Sequence, residues 1–217
     1  CEKGLQWWSA LRLLDEMQQH DLQPDDTTYD AVMRTCSTCQ QWQTALQILN
    51  DMRQNDLSPS SSTYGAAVSA CDVAGTWHTA LQLLDEMHQD GLDPDMTAWN
   101  AAISACETGG KWQTALLLLD KMRQNMNPNI ETYNAAICAC DKACKWQRSL
   151  LLLDEMWWHS VHANVTTYKA VISACEQGRQ WQRSLELLDE MWKHGEHPDL
   201  VTYNLAISAC EMCGQRQ

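Results

Sequence analysis

The sequence predicts an all-α solenoid. Four residue types recur in one register of about 35 residues, each copy carries two stretches of helical apolar spacing, and the copies follow one another without a linker. The register is read first from tryptophan: Trp42, Trp77, Trp112, Trp146 and Trp181 are separated by 35, 35, 34 and 35 residues, and Trp7 precedes Trp42 by 35. Tyr29, Tyr64, Trp99, Tyr133, Tyr168 and Tyr203 keep the same step, as do Met17, Met52, Met87, Met122, Met156 and Met191. Cys1, Cys36, Cys71, Cys106, Cys140, Cys175 and Cys210 form a fourth row. Eleven Trp beside no Phe is the inventory of a copied pattern.

The repeats run 26–60, 61–95, 96–129, 130–164 and 165–199, with half repeats at 1–25 and 200–217. Together they make residues 1–217 a single solenoid. The 34-residue copy, 96–129, has lost one position near Asn127, in a loop. Repeat 165–199 shows how each copy builds a hairpin. Thr167 is placed to cap a first helix whose inward side is Tyr168, Val171, Ile172 and Cys175, spaced i, i+3, i+4, i+7. Gly178 ends it. A second helix carries Trp181, Leu185, Leu188 and Met191, and His197-Pro198-Asp199 closes the copy, since Pro biases the preceding residue to extended backbone. One hairpin buries too little alone, whereas stacked hairpins share a continuous core.

Composition narrows the function. A formal charge of −13, from 28 Asp and Glu against 15 Lys and Arg, disfavours a nonspecific grip on nucleic acid and gives no support to an anionic membrane surface. No run approaches the roughly 18 apolar residues of a membrane span. The repeated cysteines fall on the inward stripe of the first helix and read as packing residues. Cys36 with Cys39, and Cys210 with Cys213, make C-x-x-C pairs that lie repeats apart, and Cys138, Cys140 and Cys144 cluster in one copy. None of these gives the four ligands of a structural zinc site, so no metal or other cofactor is expected. Eleven thiols mostly facing one core suit a reducing compartment. The seven His lack metal spacing, and no phosphate loop or catalytic set stands out from the repeat, so the chain is not expected to be an enzyme. The in-register Trp and Met read as core or interface packing. Trp157 and Trp158, with His159, end a second helix off that register, and with Trp192 they are candidate protein contacts.

Thr-Tyr-Asn at 132–134 and 202–204, Met87 followed by Gly91 and Pro94-Asp95, and the 35-residue period resemble the pentatricopeptide repeat (PPR) family over the whole chain. The wording A-I-S-A-C-E at 102–107 and 206–211 is similar to PPR proteins of single-celled algae. The tetratricopeptide repeat, with a period of 34, wants Gly and Tyr inside the first helix after a Trp, and that pattern is absent here.

The resemblance implies a right-handed superhelical α-solenoid of helix-turn-helix repeats. It also implies a single-stranded RNA binder of organelles, chloroplast or mitochondrion, acting in RNA processing, stability or translation. In the family two side chains per repeat read a base: the residue after the Tyr and the last residue of the copy. Here those pairs are Asp30 with Ser60, Gly65 with Asp95, Asn100 with Asn129, Asn134 with Asn164, and Lys169 with Asp199, with Asn204 in the last half repeat. The Asn–Asn pairs imply a pyrimidine preference at 96–129 and 130–164.

Two rows depart from the family. Where an aliphatic residue would pack on the base stand Thr27, Ser62, Thr97, Glu131, Thr166 and Val201. Where Lys would face phosphate stand Thr38, Val73, Thr108, Lys142, Gln177 and Met212, each preceded in its row by an acid or, in the first copy, by Ser37: Asp72, Glu107, Asp141, Glu176 and Glu211, with Glu2 and Lys3 in the leading half repeat. These departures keep a second expectation open, a non-catalytic scaffold held by protein subunits of a larger assembly such as an organellar ribosome or photosynthetic complex. Because the chain begins at Cys1 and ends at Gln217, both inside a copy, it reads as a piece of a longer array.

Overall fold

The computed structural model describes residues 3–20, 22–39 and 41–214. Cys1 and Glu2 of the repeated rows lie outside the described residues, as do the side chains of Lys3, Val73, Met212 and Cys213. The described residues form twelve helices and no strand. The first helices of the copies are α2 (Asp26–Thr38), α4 (Ser61–Ala74), α6 (Met96–Thr108), α8 (Ile130–Lys142), α10 (Val165–Gln177) and α12 (Leu200–Gly214). The second helices are α1 (Lys3–Gln19), α3 (Trp42–Gln54), α5 (Trp77–Gln89), α7 (Trp112–Asn125), α9 (Trp146–Trp158) and α11 (Trp181–Lys193).

Two compact units divide the chain, Cys1–Gly109 and Gly110–Gln217. In the first, α2, α4 and α6 stack side by side, α1 lies on α2, α3 packs across α2 and α4, and α5 across α4 and α6. In the second, α8, α10 and α12 stack, α7 lies on α8, α9 packs across α8 and α10, and α11 across α10 and α12. Each unit is thus a row of first helices backed by second helices, the arrangement of a repeat solenoid.

The caps show why the helices begin where they do. The last residue of each copy is the N-cap of the next first helix: Asp25, Ser60, Asp95, Asn129 and Asn164 each accept a hydrogen bond from the backbone N–H three residues on. Asp199 does the same for Thr202. Thr167 is therefore not the cap expected from sequence. It is the third helical residue, completing a reciprocal capping box with Asn164. Asn outranks Thr as an N-cap, and Asn164 is the residue with extended backbone, ψ 179°, at the helix start.

Both helix types end in the same way. A residue with positive φ follows, and the next N–H reaches back five residues to a row residue: Thr76 to the Cys71 carbonyl, Lys145 to Cys140, Gln180 to Cys175, Leu92 to Met87 and Val161 to Met156. Gly91 (φ 74°) and Gly195 (φ 80°) take the left-handed position easily, whereas Asp56, Cys144, Ser160 and Arg179 adopt it as L residues. In 96–129 this residue is the one missing. Met126 is extended there, with φ −153°, so the shortened copy lost its left-handed turn.

The core is the set of rows seen in sequence. Tyr29, Tyr64, Tyr133 and Tyr168 are fully buried, as are Cys36, Cys71, Cys106, Cys140 and Cys175 and the Met row from Met52 to Met191. The buried stripe of α10 is the expected Tyr168, Val171, Ile172 and Cys175. That of α11 is Ser184, Leu187, Leu188 and Met191, and Leu185 and Trp181 lie exposed, at 42 % and 37 %. The Leu-rich helix offers two overlapping helical stripes, and the i, i+3, i+4, i+7 set starting at Ser184 is the one that meets α10 and α12.

Trp42, Trp77, Trp112 and Trp146 open their second helices half-buried, and Trp77 and Trp146 lean on the end of the next first helix. A Cβ on Gly109 would come within 2.5 Å of Trp77, and one on Gly178 within 2.2 Å of Trp146. Both glycines have ordinary negative φ, so the constraint is space alone.

Candidate nucleic-acid interface

The residue after each row Tyr or Trp sits on the open side of a first helix. Asp30, Asn100, Asn134 and Lys169 are half-exposed, Asn204 is exposed, and Gly65 is buried and adds no side chain. One and two turns further along the same face stand Arg34 and Thr38, Ser69, Ser104 and Thr108, Cys138 and Lys142, Ser173 and Gln177, and Ser208. Sequence reading passed over the middle row of these, although its i+4 offset from the post-tyrosine residue marks it. On this face Arg34 and Lys142 are exposed cations.

The cap geometry brings the paired positions together. Asp199 gives one oxygen to the N–H and hydroxyl of Thr202, at 2.9 and 2.7 Å, and its other oxygen to Lys169 Nζ at 3.2 Å. Its carboxyl is held down to about 2, first by the Thr202 hydroxyl, then by the Thr202 N–H and Lys169. Asp25 falls to about 2 for the same reason, the hydroxyls of Thr28 and Thr27 and the Thr28 N–H. Both caps act fully above the ordinary carboxyl value of 3.8 and are lost as pH falls through 2.

Asn134 and Asn164 meet through the Thr167 hydroxyl, 2.6 Å from Asn134 Oδ1 and 3.0 Å from Asn164 Oδ1. Asp30 and Ser60 meet through the Thr63 hydroxyl, which bonds Asp30 Oδ1 and lies 2.9 Å from Ser60 Oγ. Gly65 lies beside Asp95: a Cβ there would be 3.8 Å from Asp95 Oδ1. Asn100 lies on α6 of the first compact unit, and the half-exposed Asn129 caps α8 of the second, accepting from the Thr132 N–H at 2.9 Å.

The rows that depart from the family pattern are also placed. Thr27, Ser62, Thr97, Glu131, Thr166 and Val201 are all exposed at the start of their helices. Asp72, Glu107, Asp141 and Glu176 are half-buried, and Asp141 accepts from Gln177 Nε2 at 3.0 Å, so its carboxylate is committed to the neighbouring helix.

On the other layer, part of the second-helix acid is neutralised. Arg53 bonds Glu86 at 2.9 Å and the Tyr64 hydroxyl at 2.5 Å, and Arg123 pairs with Glu155. Tyr64 in turn donates to Asp90 at 2.6 Å. Burial, with the bond to Asp90, pushes its hydroxyl up to about 12 against the pull of Arg53.

The off-register tryptophans differ among themselves. Trp158 is 86 % exposed and Trp192 51 %, whereas Trp157 is half-buried, stacked on His194 with ring centres 4.1 Å apart. Of the proposed contact residues, Trp157 therefore offers only part of its ring, because the equivalent turn of the next copy covers it. Among the described residues no group of three His, Cys, Asp or Glu could hold a metal ion, and no helix is long and apolar enough to cross a membrane.

A family model described as the pentatricopeptide repeat domain matches residues 12–73, 82–142 and 151–212, most of the chain. The chain belongs to the pentatricopeptide repeat family. Among solved structures, this PPR chain is 31 % identical to the pentatricopeptide repeat protein PPR10 from maize, with a TM-score of 0.70 over 92 % of this chain and 29 % of that one. A structure of PPR10 in complex with an 18-nt psaJ RNA element gives 16 % identity and a TM-score of 0.52 over 96 % of this chain and 36 % of that chain. The PPR domain of Arabidopsis thaliana protein-only RNase P 1 in complex with tRNA gives 12 % and 0.75 over 86 % of this chain and 98 % of that domain. At those lower identities the likeness is one of fold. The chain spans about a third of the length of the PPR10 chains it matches. No curated protein sequence matches it.

Proposed function

We propose that this PPR array binds single-stranded RNA on the open face of its first helices, one base to a repeat, and does so in an organelle, in RNA processing, stability or translation. The observation that carries the reading is the pairing of the post-tyrosine residue with the last residue of its copy. Asp30 with Ser60, Gly65 with Asp95, Asn134 with Asn164 and Lys169 with Asp199 each converge on one spot of the face. Hydrogen-bonding groups paired at the repeat spacing suit unstacked bases, whose Watson–Crick edges are free. PPR10 and the RNase P domain, of the same fold, are crystallised with RNA. Arg34 and Lys142 would meet phosphate. The amides of Asn134 and Asn164, and likewise those of Asn100 and Asn129, would favour pyrimidines. The array acts as a binding module and carries no chemistry of its own.

The test is selection from a random single-stranded RNA pool at low and high salt. A pyrimidine-containing motif whose affinity falls with salt is expected. Absence of any enriched sequence at low salt would sink the reading. A scaffold role is the second reading, favoured by the exposed indoles of Trp158 and Trp192. Stable co-purification of protein subunits, lost in a Trp158→Ser, Trp192→Ser double variant, would support it.

A further inference from the structure

From α4 onward, the third residue of a first helix lies too deep to touch a ligand. Thr63 is 1 % exposed and Thr167 is fully buried. Each nevertheless bonds across the repeat boundary to the post-tyrosine residue of the preceding copy, 33 positions back. We infer that this buried threonine hydroxyl is a positioning residue, setting whether the preceding repeat shows a donor or an acceptor to the ligand. The inference rests on the RNA-binding reading and assigns opposite base preferences to two repeats.

The direction of the bond is settled in the first compact unit. A carboxylate can only accept, so the Thr63 hydroxyl donates its one proton to Asp30. Thr63 Oγ1 accepts from the Ser60 N–H at 3.2 Å and lies 2.9 Å from Ser60 Oγ, which is then the donor of that pair. The chain of bonds runs Ser60 to Thr63 to Asp30. It leaves Asp30 Oδ2 facing outward, and repeat 26–60 presents an acceptor.

The second compact unit holds the same geometry around an amide. Asn164 Oδ1 accepts the Thr167 N–H at 3.0 Å, which turns Asn164 Nδ2 outward. Thr167 Oγ1 accepts the Asn164 N–H at 3.2 Å and donates along its shortest bond, 2.6 Å to Asn134 Oδ1. Asn134 Nδ2 is then outward as well. Repeat 130–164 presents two N–H₂ donors and no acceptor.

The two remaining repeats with pairs inside one compact unit follow the same logic. Ala98 is the third residue of the next first helix, opposite Gly65, where there is no side chain to orient. Thr202 bonds only Asp199, because Lys169 has no lone pair to accept a hydroxyl proton, and Lys169 reaches Asp199 directly instead.

Donors at 130–164 match Watson–Crick edges with two acceptors, which cytosine (N3, O2) and uracil (O4, O2) have and purines lack. The acceptor at 26–60 matches guanine, whose N1–H and N2–H₂ are adjacent donors. The threonine matters because an amide released from it can rotate and present its oxygen. A site whose amides are free to turn discriminates poorly between acceptor and donor edges.

Selection from a random single-stranded RNA pool, repeated with four variants, tests this. In Asn134→Asp one position of the selected sequence should switch from pyrimidine to guanine, which identifies the nucleotide seated on that repeat. At that position Thr167→Val, near-isosteric but without the hydroxyl, should relax the pyrimidine preference by on the order of five- to tenfold, the size of one net hydrogen bond. Thr167→Ser should keep it. Thr202→Val loses the matching bond to Asp199 and orients no amide, so it should leave the position unchanged and controls for a weakened helix cap. Full preference in Thr167→Val, equal loss in Thr167→Ser, or no switched position in Asn134→Asp overturns the inference. Should the wild-type chain enrich no sequence, the RNA reading fails. The relay is then judged without RNA, from the side-chain amide resonances of Asn134. A shift in Thr167→Val but not in Thr167→Ser supports it, and unchanged resonances in Thr167→Val refute it.

Discussion

The buried seam and the open face of the same first helices obey different rules. Along the seam the copies hold nearly the same residue: Tyr29, Tyr64, Trp99, Tyr133 and Tyr168, then Cys at every step from Cys36 to Cys175. One residue away, on the open face, Asp30, Gly65, Asn100, Asn134 and Lys169 span acid, amide, base and no side chain at all. Close packing tolerates little change in volume, so a stacked hairpin must present the same shape to each neighbour. Solvent makes no such demand. Variation confined to one side of a helix is therefore free to specify a ligand without disturbing the stack.

The broadest way to break the seam is alkaline pH. Burial pushes the thiols of Cys36, Cys106, Cys140 and Cys175 from 9.0 up to about 11, and raises Cys71 as well. The unfolded chain loses these protons first. Stability is thus fully present below pH 9 and is lost as pH rises through 11. Thermal melts at pH 8, 9, 10 and 11 should show a steep fall over the last two steps, and a Cys106→Ala, Cys140→Ala variant should show a shallower one. Next comes a cavity. Tyr133→Ala should destabilise by about 3–5 kcal/mol, measured by urea unfolding, and Tyr133→Phe by about 1 kcal/mol or less, since its hydroxyl meets Arg123 at a long 3.4 Å.

Gly178→Ala should cost about 1–3 kcal/mol by driving a methyl into Trp146. Ala74 and Ala143 hold the equivalent positions elsewhere, so Gly178→Ala, Trp146→Leu should recover part of the loss. On the exposed turns the sign reverses. Ser160 is left-handed, with φ 57°, and Ser160→Gly should stabilise by about 0.5–1 kcal/mol. The smallest effect on stability belongs to the open face: Lys142→Gln should stay within about 0.5 kcal/mol in melts. Under the RNA reading it should nonetheless lower the salt dependence of binding by about one released counterion.

Much of this was legible in the chain. The buried rows of α10 emerged from helical spacing alone, because burial imposes the same residues at the same step. The stripe of α11 did not, since Leu185, Leu187 and Leu188 satisfy two phases of the helix and only the neighbours select one. Of the candidate site, the post-tyrosine and final residues were identified by resemblance. The threonines at 63 and 167 were not, because a threonine near a helix start reads first as a cap. Trp157 and Trp158 look equivalent in sequence, yet His194, in the next copy, covers only the first.

The amino-acid sequence by itself determined the period, the pairing of helices and the residues of the seam, because each follows from local helical geometry and the need to bury apolar surface. Tertiary structure alone decided which leucine turns inward, which indole is covered, and which end of the Asn134 amide faces out. Those outcomes depend on groups in different hairpins, made neighbours only when one hairpin stacks on the next.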